Sequence, residues 1–192
     1  MLTITIFDTI PLMNVVIAPD RRLRIKTKKV IKITPGLVQT TQAMIKLTKT
    51  FKDPEGVGLA STQVGLDGSF FVALDDVKPT KKGGKGKFII VFNPKIISSS
   101  KTLKTHFEGC LSIPNYWGEV KRPTFVKVSF QDQTGKTYTK TLKGLMAHVF
   151  QHEVDHLNGV LFPDLVLQQK GRFFKYMGLD KRGQEIYEEV II

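Results

Sequence analysis

The segment Gln151-His152-Glu153-Val154-Asp155-His156-Leu157-Asn158-Gly159 carries two imidazoles four residues apart, with a carboxylate beside the first. On an α-helix, residues at i and i+4 stand one above the other on the same face. His152 and His156 can therefore aim ring nitrogens at one divalent metal ion, and Glu153 can take a proton from a water on the ion's open side. The same spacing would serve two core histidines with satisfied hydrogen bonds, so a third ligand has to decide. A four-coordinate catalytic metal takes three protein ligands and keeps one position open. His148 continues the series, but it lies eight residues before His156, about 12 Å along a helix axis. One ion cannot span that distance, so His148 flanks the site. His106 and Cys110 remain as candidates. Cys110 is preferred, because a thiolate is the stronger ligand and Gly109 beside it permits close approach.

A helix must carry the pair. Leu145 and Val149 extend the histidine stripe toward the N-terminus at steps of three and four, Thr141 is the expected N-cap, and Gly159 is the expected stop.

Composition sets the frame. The 192 residues fit a single domain with a proper core, and 41% hydrophobic with 24% charged residues is ordinary for a soluble globular chain. The net charge of +12 favours an anionic partner such as RNA or a ribosome, or a field that steers anionic substrates. A single cysteine excludes an intrachain disulfide and suits a reducing compartment. No run is long and apolar enough for a membrane span, nothing points to DNA, and MLTITIFDTIPLMN makes a poor signal peptide. The cytoplasm is the expected location.

Along the chain, residues 1–14 read as an N-terminal arm, with 2–7 as a strand or extended segment. Thr34-Pro35 reads as N-cap and first residue of a helix of about four turns, on which Leu37, Met44 and Phe51 recur at seven. Asp53-Pro54 ends it. GVGLASTQVG follows, with glycines placed to let an extended peptide backbone lie close and Gln63 as a polar group inside the site. FFVAL (70–74) and FIIVF (88–92) are strands, separated by a basic surface insert over 75–88, and Asn93-Pro94 is expected to close the second. Tyr116–Gly118 read as a bend. Val126, Val128 and Phe130 alternate on a strand that turns at 132–135 and returns over 136–142. VLFPDLV leads off the metal helix, and IYEEVII ends the chain in strand-like fashion. Strands cluster without alternating with helices, which predicts α+β.

In order, GVGLASTQVG, EGCLS and QHEVDHLNG resemble the three signature motifs of the peptide deformylases, and the resemblance runs from about Val16 to Phe162. It implies an α+β domain of antiparallel sheets around a central metal-binding helix, with one further long N-terminal helix. The implied activity is metal-dependent removal of the N-formyl group from the N-terminal formylmethionine of nascent polypeptides. By motif position, Cys110, His152 and His156 are the metal ligands, and Glu153 is general base and then acid while water activated at the metal attacks the formyl carbon. Gln63 and the Leu111 backbone N–H stabilise the oxyanion. Gly58 and Leu59 pair with the substrate backbone, Leu145, His148 and Val149 wall the methionine pocket, and Glu108 pairs structurally with Arg122. The family favours Fe(II), with Zn(II) or Ni(II) as substitutes, whereas ligand softness alone suggests zinc. Ser61-Thr62, His106 and His148 depart from the family's usual residues.

Two other functions fit parts of the chain. A His-Glu-x-x-His metallopeptidase would take its third ligand downstream, where Asp164, Glu185, Glu188 and Glu189 are available. A non-catalytic ribosome- or RNA-binding protein would explain the charge. Neither accounts for three ordered motifs.

Overall fold

The computed structural model describes residues 13–52, 55–75 and 86–191. Most of the expected N-terminal arm and the middle of the basic insert lie outside these. The α+β expectation holds. Helix α1 (Pro35–Thr48) starts where the sequence places it, with the Thr34 side chain accepting from the Leu37 N–H at 3.2 Å. Phe51 lies beyond its last turn.

One antiparallel sheet has the order β1-β2-β3-β6-β7, built from β1 (Gly58–Ala60), β2 (Phe70–Leu74), β3 (Phe88–Ser99), β6 (Phe125–Gln131) and β7 (Thr137–Lys143). The other has the order β4-β5-β8-β9, from β4 (Leu103–Cys110), β5 (Ile113–Pro123), β8 (Phe173–Leu179) and β9 (Glu185–Val190). Helix α2 (Gly144–Leu157) carries the histidines, and α3 (Phe162–Gln169) follows it.

The period of two along the strands explains the layering. Leu59, Phe70, Val72, Ile90 and Phe92 face one way and pack with Met44 of α1. Their neighbours Ala60, Phe71, Ala73 and Val91 face the other way and pack with Ala147, Phe150 and Leu157 of α2. With helices on both faces, every residue of FFVAL is buried. A separate cluster of Cys110, Val120, Phe162 and Val166 joins the second sheet to α3. The metal helix is thus wedged between the two sheets.

Three local expectations are corrected. Thr141 is not the cap of α2. Pairing of β7 with β6 continues through Lys143 opposite Phe125, so the helix can begin only at Gly144, which turns the chain at φ +58°. Asn93-Pro94 does not close β3 but forms a bulge within it. Asn93 takes φ +50°, and its side chain accepts from the Val30 N–H and donates to the Val30 carbonyl and Gln131. Tyr116–Gly118 are not a bend but lie inside β5, paired with β8. The C-terminus is a strand, as its composition suggests, and Phe162-Pro163 opens α3 with proline in the first turn.

Gly118 is where α3 presses on β5: a Cβ there would stand 2.5 Å from Val166 Cγ2. Gly36, in the first turn of α1, has nothing within 4 Å of a Cβ. Gly118→Ala should therefore lower stability by about 1–3 kcal/mol through overpacking. Gly36→Ala should raise it by about 0.4–1 kcal/mol. Calorimetric Tm values should move in opposite directions, by about 2–4 °C per kcal/mol.

Candidate metal centre

The centre forms where the C-terminal end of β4 meets the middle of α2. The sulfur of Cys110 and one ring nitrogen from each of His152 and His156 lie within 4.8 Å of one another. Cys110 Sγ is 3.2 Å from His156 Nε2, and the two rings stand nearly perpendicular with centroids 5.0 Å apart. Among the described residues this is the only cluster of histidine, cysteine and carboxylate side chains placed so that it could hold a metal ion. His106 does not join it. Its ring stacks on His148 at 4.1 Å, and of the two candidates only Cys110 lies in the cluster. The downstream carboxylates stay away as well: Asp164 is held by Arg24 and by the Leu161 N–H, and Glu185, Glu188 and Glu189 lie on β9.

The residues present fit a divalent cation. One thiolate and two imidazoles are the donors expected of a catalytic site with an open position. Burial and the neighbouring positive charges keep His156 well below its ordinary pKa, in the neutral form a ligand requires. Burial works the same way on His152, but the Cys110 sulfur and the Glu108 carboxylate outweigh it and raise that pKa. The surroundings of His152 favour a positive charge, which a metal ion would supply.

Glu108 is more than half of a structural pair. Buried beneath the cluster, it accepts from Arg122 Nε and Nη2 at 2.5 and 2.9 Å, and its Oε2 lies 3.1 Å from His152 Nδ1. His148 Nε2 approaches its other oxygen to 2.8 Å. Burial would raise its pKa, but these hydrogen bonds prevail and hold the carboxyl far below the usual range. The contact to His152 fixes the ring so that Nε2 faces the cysteine. Arg122 then reaches Asp155 with Nη1 at 2.7 Å, tying β5 to the metal helix.

Gln63 sits in a 3-10 turn, Ser61–Val64, that follows β1. Its Oε1 accepts from the Ala60 N–H at 2.8 Å, which turns the amide NH2 toward Cys110 Sγ at 3.4 Å and Ser112 Oγ at 3.1 Å. The two departures before it are absorbed in the fold: Ser61 donates to the Gly68 carbonyl and Thr62 to the His156 carbonyl. Glu153 is buried, with Oε2 unpartnered, and burial raises its pKa to about 7. Gly58 makes the room, since a Cβ there would be 2.3 Å from Glu153 Oε1.

A cavity of about 190 Å³ opens over these groups and includes Gln63, Cys110, Leu111, His152 and Glu153 in its walls. That is less than the roughly 300–1,000 Å³ of sites that engulf a whole small ligand, and suits one side chain with its backbone. Gly58, His148 and Val149 line it. Leu145 does not: it is 40% exposed, in the first turn of α2, about 10 Å up the axis from His152. Leu59 does not line it either, because its side chain is buried on the α1 side of the sheet. Its backbone belongs to β1, which among the described residues pairs on one side only, with β2. Ser112 and Asp155 were given no role by the sequence, although both lie inside its motifs. Ser112 donates its N–H to Cys110 Sγ at 3.4 Å, and its carbonyl accepts from Ala18.

The family model described as polypeptide deformylase matches residues 12–172. A peptide deformylase of Bradyrhizobium sp. (strain ORS 278) is 42% identical over 160 residues, covering 83% of this chain and 89% of the relative. The crystal structure of peptide deformylase from Thermotoga maritima superposes with a TM-score of 0.71 at 36% identity, covering 81% of this chain and 97% of that one. A Synechococcus elongatus peptide deformylase in complex with actinonin gives 0.70 at 37% identity, over 81% of this chain and 79% of that one. With a family model matched over residues 12–172 and a relative 42% identical over 83% of the chain, this chain belongs to the peptide deformylase family.

Proposed function

We propose that Cys110, His152 and His156 hold the single divalent metal ion on which this deformylase depends, and that Glu153 moves the proton in its reaction. The chain is a metal-dependent hydrolase that removes the formyl group from N-terminal formylmethionine. The convergence of one sulfur and two imidazoles beside an unpartnered buried carboxylate supports these roles most strongly.

When bound, the metal would acidify a water and polarise the formyl oxygen. The chain's own residues supply the rest. The edge of β1 that no described strand pairs, at Gly58 and Leu59, offers backbone groups that align an extended peptide as an added strand. His148 and Val149 wall the space for the methionine side chain. Glu153, with a pKa near 7, is poised to accept a proton from water and return it to the leaving amine. The Gln63 amide, locked by Ala60, and the Leu111 N–H donate to the formyl oxygen as negative charge grows on it, each worth about 3 kcal/mol. Glu108 keeps His152 in its ligating tautomer.

Fe(II) is our proposed native ion, with Zn(II) or Ni(II) able to replace it. No helix among the described residues is long and apolar enough to cross a membrane. The substrate and the +12 net charge support a cytoplasmic enzyme that meets nascent chains at the ribosome through its basic surface.

Anaerobically purified protein should contain one metal ion per chain and release formate from formyl-Met-Ala-Ser. Absence of turnover at every metal loading would refute the assignment. Glu153→Gln should keep the metal and lose about 10²–10⁴-fold in kcat. Cys110→Ala and His156→Ala should lose the metal itself by elemental analysis. Glu108→Gln should weaken metal binding about 10–100-fold in chelator competition, because the ring it orients is no longer held.

A further inference from the structure

Strands β3, β6 and β7 contain no aspartate or glutamate, although each carries lysine. Val126, Val128 and Phe130 turn toward α2, so Lys127, Ser129 and Gln131 turn the other way. The register sets Lys95 opposite Ser129, Ser98 opposite Lys127, and Lys143 opposite Phe125, all on that second face. Thr137, Thr139 and Thr141 join them from β7. Helix α1 covers this face over β1 and β2, whereas its residues on β6 and β7 stay exposed or half-buried. Lys95, Lys127 and Lys143 come from three adjacent strands, each displaced by two residues from the last. Strands stand about 4.8 Å apart and two residues rise about 6.8 Å, so the lysines form a diagonal with steps of about 8 Å. Phe125, 39% exposed, sits beside both Lys127 and Lys143. At its Lys95 end the diagonal runs into a groove of about 670 Å³ whose walls include Lys26, Lys29, Ser69 and Thr137. Among the described residues none of these five lysines is ion-paired, whereas Lys28 between them is held by Asp67.

We propose that this face binds RNA, with the lysine diagonal following the phosphate backbone and Phe125 stacking on an unpaired base beside it. The proposal narrows the anionic contact suggested by the net charge to one face, and it does not depend on the metal. Charge complementarity selects the occupant. The three lysines extend over about 16 Å without converging, so they suit a chain of phosphates and not one small anion. Rows of serine and threonine hydroxyls between them both donate and accept, as contact with phosphate oxygens and ribose 2′-hydroxyls requires. An aromatic ring set among lysines offers a base a surface on which to stack. The sheet separates this face from α2 and its cavity, so RNA and peptide would not compete for space.

The test titrates the full-length protein into a fluorescein-labelled RNA hairpin with a single-stranded uridine tail, and into the same hairpin without the tail. With five lysine contacts, log K should fall against log salt with a slope of about −3.5 to −4.5. Combining Lys95→Gln, Lys127→Gln and Lys143→Gln should reduce the slope by about 2–3 and weaken binding about tenfold or more. The same variant should still deformylate formyl-Met-Ala-Ser at the wild-type rate. A control removes equal charge at Lys175, Lys181 and Arg182, exposed on the β8–β9 hairpin, and should change the slope little. Phe125→Ala should cost about tenfold on the tailed hairpin and little on the blunt one, and Phe125→Tyr should restore it. No saturable binding at about 50 mM salt overturns the proposal, as does an unchanged slope in the triple variant. Equal loss in the control also overturns it, because net charge alone would then explain binding. Binding to phosphatidylserine vesicles without binding to RNA overturns it too and assigns the face to an anionic membrane. An unchanged affinity for the tailed hairpin in a folded Phe125→Ala overturns the stacking role. If Phe125→Ala does not fold, the lysine variants decide. Turnover without RNA binding defeats this face alone, whereas RNA binding without turnover defeats the deformylase function alone.

Discussion

One buried carboxylate holds the site in register. Glu108 faces Arg122 from β5 and His148 and His152 from α2, so two other stretches of chain meet on its two oxygens. Burying an ion is costly, and an Arg–carboxylate pair buried this deeply adds little net stability compared with apolar residues of similar shape. Removing one partner would be severe, at about 3–5 kcal/mol, because a charge is left buried and alone. The network therefore acts mainly as a constraint. It fixes which nitrogen of His152 faces the sulfur, and through Arg122 and Asp155 it fixes how the sheet sits on the helix.

A second constraint follows from packing. Glu153 is buried and shares a cavity with Cys110 and His152, and only a residue without a side chain can pass in front of it. Gly58 does so while still belonging to β1, the edge strand among the described residues. The glycine in the first motif thus makes room for the buried Glu153 carboxylate while its backbone stays in β1. Gln63 follows the same economy of placement. Its oxygen is spent on the backbone of Ala60, leaving only its donors to face the site. The N-terminal segment then laces the motifs together, with Val16 donating to the Gln63 carbonyl and Ala18 to that of Ser112.

Much of this was legible in the residues. The two imidazoles follow from helical spacing, Thr34-Pro35 from capping chemistry, and the class from clustered strands. The third ligand was narrowed by distance to His106 or Cys110 but not fixed by it, because strand register decides which side chains of β4 turn inward. Gly118 and Trp117 looked like part of a bend, since a glycine in a strand makes sense only once α3 is seen pressing on it. Asn93-Pro94 misled for a related reason: a bulge held by side-chain bonds to Val30 lets a strand continue past a proline. Leu145 continued the correct stripe, but stripe membership does not say where along the helix the cavity ends. Ser112 and Asp155 could not be assigned from spacing, because Gln63 and Ala18, which meet Ser112, and Arg122, which meets Asp155, lie far off in sequence.

The central claim is that one sulfur and two imidazole nitrogens share a single ion. X-ray absorption at the metal edge of anaerobically loaded protein measures this directly. The structure predicts one sulfur scatterer at about 2.3 Å and two imidazole nitrogens at about 2.0–2.1 Å, with the sulfur shell lost in Cys110→Ser. A first shell of nitrogen and oxygen alone in the unaltered protein would contradict it.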